Sequence, residues 1–492
     1  MQMSQKPSRV FIGTSLLLAG CIAGCGGNSS KEPAKTTAVM VPNLQPYPDP
    51  TGTVATYSSA GATDESTSAF FQPLGTNGRS CATCHQFSQG QSISAASTMA
   101  LFASNSADPL FDALNGANCP TAAAGDSSAR SLLLNNGLIR ASIGLAANAE
   151  FTLSVVHDPY GCAMSTSTSG QTLVSIYRRP LPTSGLGFIS DILWDARETP
   201  SGLGTGSSFT TNLNSALMHT NLDAIALFEG GTTPPTSAQI TDILTFEQGL
   251  YAAQATDSVA GSLSANGATG GPSNFATTMF YPGINDGFGG DPTGKPFNSA
   301  VFNLYDAWAN SSNAQQASIN RGQTIFNTAA MTITNVRGIN DNAALGSPAV
   351  IHLVCSSCHD TPNVGSHSFS LPLDIGTAHI AASETDTSIV TGLGQLSAPD
   401  LPIYQINGCK DAGGNPVIYV TTDPGKGLST GLCADINRLK VPSLRGLAAR
   451  APYFHGGAAA TLTQLVQFYN ARFQMNLTAT QQADLVNFLN AL

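Results

Sequence analysis

The sequence has few charged residues. Only 10% of its 492 residues are Asp, Glu, Lys or Arg, and the formal net charge is −10. No run of basic residues is present, which argues against binding to nucleic acid. The apolar fraction of 42% still supports hydrophobic cores, and the length suffices for two or three domains. An acidic surface of this kind suits a small basic protein partner.

Long hydrophobic runs are also missing, apart from a short one near the start. Lys6 and Arg9 precede an apolar run over residues 10–18, which is too short to span a membrane. The run ends in Leu18-Ala19-Gly20-Cys21, which resembles the lipobox of bacterial lipoproteins. We therefore predict a signal peptide over residues 1–20, a lipid on Cys21 and export to the periplasmic face of the envelope. The lipid would be the protein's only membrane contact; the alternative is a plain secretory signal cut nearby.

Ten cysteines are present, and four of them form two Cys-x-x-Cys-His motifs. The motifs are Cys81-Ala82-Thr83-Cys84-His85 and Cys355-Ser356-Ser357-Cys358-His359. Two thiols one helical turn apart reach both vinyl groups of a haem, and the adjacent His ligates the iron. A zinc site would need further Cys or His at ligand spacing. A thioredoxin-like redox pair would not explain the His in both copies. We predict two covalent haem c groups with the iron ligands His85 and His359.

Four other cysteines are candidates for disulfides, which an exported protein forms readily. We expect Cys409 to pair with Cys433 and, as a second pair, Cys119 with Cys162. Spacing alone leaves the connectivity open.

Composition and periodicity divide the chain into four segments. Residues 21–66 are rich in Pro, Ser, Thr, Gly and Asn, which predicts a flexible tether. We assign residues 67–312 to an N-terminal haem domain and residues 313–492 to a C-terminal one. Strand-like alternation is scarce, whereas helical periodicity is clear near the end, where Thr461 and Thr478 are expected N-caps. The predicted fold is mainly α, with two cytochrome c-like haem domains and long loops.

Several segments together resemble the bacterial di-haem cytochrome c peroxidase family, which includes the MauG-type enzymes. They are residues 77–85, Arg178-Arg179-Pro180-Leu181-Pro182, Leu193-Trp194-Asp195-Ala196-Arg197-Glu198, and the run from Val441 through Pro452-Tyr453-Phe454-His455 to Tyr469. Ala196 departs from the family's usual Gly. The spacing between the two haem motifs is much longer than in short members of the family.

The resemblance implies a division of labour between the haems. The N-terminal haem would have an open position at which hydrogen peroxide binds. The C-terminal haem would be six-coordinate and would relay electrons from a small donor protein, a cytochrome or a cupredoxin. Trp194 matches the tryptophan that lies between the two haems in the family; the alternative is a core aromatic residue.

The resemblance also suggests the remaining iron ligands. Fourteen residues after His455, where the peroxidases have Met and MauG has Tyr, stands Tyr469, our candidate ligand for the His359 haem. A structural Tyr469 and ligation by Met475 are the alternatives. No His occurs between Gln86 and Val156, and Met99 is the only soft ligand before His157, so we expect an open first haem.

Cleavage of peroxide needs an acid–base group over the open iron. Family members use a Glu some twenty residues after the Trp, and long-form members carry a His at this place. We assign this role to His219, with Glu198 as the second candidate. His455 would lie near the second haem without ligating it, and Arg445 and Arg450 would neutralise propionates.

The family's calcium ion has no compact motif here, so we assign it no position. We expect His367 and His379, which follow the second motif, to be loop residues rather than metal ligands. The predicted function is reduction of hydrogen peroxide. The alternatives are a MauG-like oxidase of a partner protein, oxidative cleavage of an organic substrate and a non-catalytic electron-transfer cytochrome.

Overall fold

The computed structural model describes residues 39–199, 202–378, 400–411 and 413–492. The signal peptide, Cys21 and His379 lie outside the described residues. The protein is 30% helical and 17% strand, so the helices that we predicted are accompanied by a substantial share of strand. Among the described residues, no helix has both the length and the apolar character needed to cross a membrane.

The two haem motifs each form one helical turn, and the longer helices pack around them. The helices are α1 Cys81–Cys84, α2 Ala95–Ser104, α3 Ala113–Gly116, α4 Ser131–Asn136, α5 Ser208–Phe228, α6 Ser237–Gln248, α7 Pro272–Phe275, α8 Ala314–Thr328, α9 Cys355–Cys358, α10 Gly427–Thr430, α11 Leu462–Arg472 and α12 Ala479–Asn490. The predicted N-caps are confirmed: the Thr461 and Thr478 hydroxyls accept hydrogen bonds from the amides of Gln464 and Gln481.

The strands form small antiparallel sheets. They are β1 Met40–Val41, β2 Tyr47–Pro48, β3 Gly52–Ser58, β4 Thr63–Asp64, β5 Ile139–Gly144, β6 Thr152–His157, β7 Met164–Thr166, β8 Thr172–Arg178, β9 Leu250–Asp257, β10 Gly261–Ser262, β11 Met331–Ile333, β12 Ile351–Leu353, β13 Ile403–Lys410 and β14 Pro416–Thr421. The larger sheets have the strand orders β10-β9-β3-β2, β14-β13-β6 and β5-β8-β7.

The tether predicted over residues 21–66 is wrong for its described part, residues 39–66. Strand β3 pairs with β9 along its whole length, from Gly52 opposite Asp257 to Ser58 opposite Leu250. Val54 and Ala55 of this strand are buried. The Pro- and Gly-rich composition therefore marks the tight turns of short strands in this region.

The predicted boundary at residue 312 does not separate two cores. The core around the second haem motif combines Phe326 and Phe488 with Phe302, Tyr305 and Trp308, which we had assigned to the first domain. Strand β6 pairs with β13 from the other side of the boundary. Residues 38–492 accordingly form one compact unit.

Both expected disulfides are present. Cys409 pairs with Cys433 and Cys119 with Cys162, with Cα–Cα distances of 5.6 and 6.0 Å. The first links β13 to a short 3-10 helix, Cys433–Asp435. The four motif cysteines remain as free thiols, as a haem-attachment role requires.

Candidate haem sites

The first motif is held in a geometry that orients its histidine. The Ser80 amide donates to the Thr83 hydroxyl (3.0 Å), which starts α1 one residue before Cys81. His85 follows directly after the helix, and its Nδ1 lies 3.0 Å from the carbonyl oxygen of Gln91. A ring N–H that is fixed on a carbonyl leaves Nε2 as the nitrogen that ligates a metal.

The second motif repeats this arrangement. The Val354 amide donates to the Ser357 hydroxyl (3.2 Å) at the start of α9, and His359 Nδ1 pairs with the carbonyl of Gly365. The carbonyl lies six residues after the histidine in both motifs. Burial lowers the pKa of His359 to about 4, so its imidazole is neutral at pH 7 and available as a ligand.

Each motif opens into its own cavity. The first cavity, of about 240 Å³, is the one lined by Cys81, Cys84 and His85. The second cavity, of about 170 Å³, is the one lined by Cys355, Cys358 and His359. Both walls are mostly apolar, as the face of a porphyrin requires.

Cationic side chains of the kind that neutralise haem propionates line both cavities. Arg178, Arg197 and Lys440 reach the first cavity, and Arg450 the second. The buried Nε of Arg450 has no hydrogen-bond partner in the described protein, a state that is costly without an anion to accept from it. The donor sets, the apolar walls and these cations therefore fit haem c at both motifs.

Trp194 lines both cavities. Its indole Nε1 donates to the carbonyl of Arg179 (2.7 Å), and its ring lies 6.1 Å from that of His455 in an edge-to-face arrangement. The other tryptophan, Trp308, stacks on Tyr305 in the core. Trp194 thus occupies the position between the cavities that the resemblance implies.

A buried ion network lies next to Trp194. Arg178 binds Asp195 through Nη1 (2.6 Å) and Asp423 through Nε and Nη2 (2.7 and 2.9 Å). Arg197 adds a second cation on Asp195 at 3.0 Å. Burial by itself raises the pKa of Asp195, but the two guanidiniums outweigh it and lower the pKa to about 2. The network therefore stays ionised at pH 7.

His455 joins this network from the second cavity, which it lines. Its Nε2 lies 3.8 Å from Asp423 Oδ2, and its carbonyl accepts from the Arg179 amide at 2.7 Å. Burial lowers the pKa of His455 to about 4. The residue is neutral and contacts Trp194, as expected for a neighbour of the second haem.

Tyr469 and Met475 both line the second cavity. Burial raises the pKa of Tyr469, and the motif thiols Cys355 and Cys358 raise it further, so the phenol lies close to the attachment site. Both candidate sixth ligands therefore lie in the wall of the second cavity.

The first cavity offers fewer potential iron ligands than the second. Among the described residues that line it, the only histidine is His85, and no methionine or tyrosine is present. Met99 is half exposed on α2 and does not reach the cavity. This lining suits the open first haem that the sequence predicts.

His219 is wrongly placed for the acid–base role that we assigned to it. It lies on the exposed side of α5 and does not line the first cavity. The residues of α5 that do line it include Leu217, Asn221 and Ala224, because the helical repeat turns position 219 away. Glu198 also lies outside the cavity, next to Asp223.

Two other carboxyl groups line the first cavity, and sequence reasoning missed both. Glu247 of α6 is buried and accepts hydrogen bonds from Asn221 (2.9 Å) and Thr183 (3.2 Å). Burial raises its pKa to about 7, against the effect of these donors. Glu229, just after α5, has its pKa raised to about 6 by burial. The sequence does contain a signal for Glu247, which lies on the apolar stripe of α6. It follows Leu244 by three residues and Ile243 by four, the spacing of residues on one face of a helix.

Arg445 is also placed differently from our prediction. It lines neither haem cavity; Arg450 lines the second one instead. The Arg445 guanidinium lies over the ring of Phe275 at 4.9 Å and donates weakly to the carbonyls of Gly271 and Asn363.

Ala196 occupies a backbone position that favours glycine. Its φ is +54° and its side chain is fully buried. A left-handed conformation costs a non-glycine residue about 1–2 kcal/mol. This accounts for the Gly that the family has at this place in the Trp-Asp-x-Arg segment.

Replacement of Ala196 by Gly should raise the free energy of unfolding by about 0.5–1 kcal/mol, because relief of the left-handed strain outweighs the larger chain entropy of glycine. Ala100→Gly, in the exposed middle of α2, is the matched control and should lower it by about 1 kcal/mol. Denaturant midpoints of the haem-loaded proteins measure both. Equal destabilisation by the two changes would contradict the strain at Ala196.

Comparison with known proteins finds similarity to curated peroxidases over short segments. The chain is 41% identical over 66 residues to cytochrome-c peroxidase IdrP2 of Denitromonas iodatirespirans, covering 12% of this chain and 18% of that protein. It is 41% identical over 78 residues to cytochrome c551 peroxidase of Nitrosomonas europaea, covering 15% and 23%. The matches thus span about a fifth of the curated relatives' length.

No family model matches the chain. Among solved structures, a MauG-like protein associated with microbial copper homeostasis aligns with 68% of this chain and 79% of its own, at 14% identity and a TM-score of 0.29. The curated relatives carry the names cytochrome-c peroxidase and cytochrome c551 peroxidase. They confirm the resemblance that the motifs predict: the chain is similar to the bacterial cytochrome c peroxidases.

Proposed function

We propose that this protein is an exported di-haem c-type cytochrome that reduces hydrogen peroxide at the first haem, with electrons relayed through the second. The balance is H₂O₂ + 2e⁻ + 2H⁺ → 2H₂O. The observation that carries the proposal is the pair of cavities, each built on a Cys-x-x-Cys-His turn and both lined by Trp194. A simple electron carrier has no need of a cavity that is lined by carboxyl groups such as Glu247 and Glu229.

In the first cavity, Cys81 and Cys84 would hold the haem and His85 would ligate its iron. Bound haem supplies the iron that polarises the peroxide oxygen–oxygen bond. The protein's part is to move protons, and Glu247 is the group suited to it, since its pKa of about 7 matches neutral pH. Asn221 and Thr183 fix the Glu247 carboxyl. As a carboxylate it accepts the proton of peroxide, and as an acid it returns the proton to the leaving oxygen.

Between the cavities, Trp194 is the aromatic group suited to electron transfer. Its indole is fixed by the Arg179 carbonyl, and the ion network on Arg178 fixes Asp195, the next residue. The second cavity would face the electron donor, a small cytochrome or cupredoxin. The charge of −10 supports a donor with a basic surface.

Glu247→Gln should lower the rate of peroxide turnover by about 10²–10⁴-fold, as expected for loss of a general acid–base group. His219→Gln is the matched control and should keep the rate within about 2-fold. In the unchanged protein the rate should rise with pH through about 7, as Glu247 ionises, and Glu247→Gln should remove this inflection. Stopped-flow experiments with a reduced cytochrome c as electron donor measure the rate of peroxide turnover in all three proteins.

Haem content and the resting spectrum should be the same in both variants. A full rate in Glu247→Gln together with a large loss in His219→Gln would contradict the assignment.

A MauG-like oxidase of a partner protein is the second candidate. The observation that favours it is Tyr469 in the second cavity, where a peroxidase of this resemblance has methionine. A phenolate ligand would stabilise the oxidised states of the iron more than a thioether would.

Tyr469→Phe should abolish the ligand-to-metal absorption of a ferric phenolate and raise the reduction potential of the second haem. Met475→Leu, in the same cavity, should leave both unchanged. Absorption spectra and redox titration of the two variants distinguish the ligands. If Met475→Leu changes the spectrum and the reduction potential and Tyr469→Phe does not, Met475 is the iron ligand, which would favour the peroxidase over the oxidase.

Export and the lipid anchor are also proposals. Disulfides between Cys119 and Cys162 and between Cys409 and Cys433 support an oxidising compartment. The Leu18-Ala19-Gly20-Cys21 segment supports attachment through a lipid on Cys21.

A further inference from the structure

One group of potential metal ligands lies outside both haem cavities. Asp286, Asp360 and His367 are all buried, and one ligand atom from each lies within 4.8 Å of the other two. None of the three lines the first or second cavity. Within the described residues this is the group of three or more His, Cys, Asp or Glu that has the spacing of a metal site.

Two segments distant in sequence converge at this group. Asp360 directly follows His359, His367 lies on the loop after the second motif, and Asp286 comes from residues 283–291. The approach is close, because a Cβ at Gly287 would lie 2.3 Å from the carbonyl oxygen of Ser357 in α9. The loop over residues 283–291 is thus pressed against the turn that carries the second motif.

Among the described residues, His367 is the group that forms an ion pair with these carboxylates, and no lysine or arginine does so. Two carboxylates lie together in the interior, where burial of an unpaired charge is strongly unfavourable. A protonated His367 would still leave a net charge of −1, whereas a divalent cation with a neutral imidazole would bring it to zero.

His367 itself points to a missing ligand. It is 2% exposed, and its Nε2 has no hydrogen-bond partner among the described residues. Its Nδ1 forms an ion pair with Asp360 Oδ2 at 2.8 Å. Backbone amides already orient the carboxylates: Ser368 donates to Asp360 at 2.6 Å and Gly290 to Asp286 at 2.5 Å. Amide-oriented carboxylates beside a buried imidazole with an unpartnered nitrogen are typical of a preformed metal site.

We propose that Asp286, Asp360 and His367 bind a divalent metal ion of the zinc class, which ties the loop over residues 283–291 to the second haem segment. One nitrogen and two carboxylate oxygens suit Zn²⁺, with water as a fourth ligand. Calcium prefers six to eight oxygens and does not select imidazole. The proposal corrects our expectation that His367 is a plain loop residue, and it does not depend on the proposed peroxidase activity.

The test uses the haem-loaded protein, dialysed against EDTA and titrated with ZnCl₂. Metal analysis should find one zinc per chain in addition to the haem iron, and zinc should raise the midpoint of thermal unfolding. Asp286→Asn should weaken zinc binding by at least about 100-fold, more than the loss of an outer-shell partner. Asp291→Asn is the matched control, since it removes a carboxylate bound by Tyr281 and Thr293 in the same loop.

If Asp286→Asn does not fold, zinc affinity is measured on His367→Gln instead, together with the effect of zinc on the midpoint of thermal unfolding of the unchanged protein. A haem-loaded protein that takes up no zinc at about 100 μM, with an unchanged midpoint, would overturn the proposal and leave a His–Asp ion pair. Equal zinc affinity in Asp286→Asn and Asp291→Asn would also overturn it.

Discussion

The buried guanidinium of Arg178 connects the residues that lie between the two cavities. It forms ion pairs with Asp195, the residue after Trp194, and with Asp423, the residue that faces His455. Removal of one partner from such a buried network costs about 3–5 kcal/mol, because it leaves the others uncompensated. The guanidiniums of Arg178 and Arg197 lower the pKa of Asp195 to about 2, although burial by itself would raise it. The position of Trp194 in the walls of both cavities therefore depends on charges that remain paired over the whole physiological pH range.

Local features of the site could be predicted from the sequence. A Cys-x-x-Cys-His turn fixes two thiols and an imidazole within five residues, so its geometry does not depend on the rest of the chain. The same holds for the N-caps at Thr461 and Thr478. Trp194 was predictable for a different reason, since it stands in a motif whose resemblance covers several consecutive residues.

Features that depend on distant contacts could not be predicted in this way. Strand β3 has a partner almost 200 residues later, and its short, turn-rich sequence has the composition of a tether. His219 was assigned by counting from Trp194, but a helix presents each residue on one face only, and position 219 of α5 faces solvent. Glu247 reaches the cavity from α6, where only its place on an apolar stripe distinguishes it. Asp286 comes within 4.8 Å of His367 only through the folding of a loop.

The two cavities differ in the groups that they offer to a metal or a substrate. The first has carboxyl groups with raised pKa values and one histidine, and the second has Tyr469, Met475 and His455. This asymmetry supports one site for chemistry and one for electron transfer, because proton transfer is needed only where oxygen–oxygen bonds break.

Low-temperature electron paramagnetic resonance of the ferric protein, before and after one equivalent of peroxide, tests this asymmetry most directly. The account predicts one high-spin and one low-spin haem, with the high-spin signal lost on addition of peroxide. Two low-spin haems that do not respond to peroxide would contradict it.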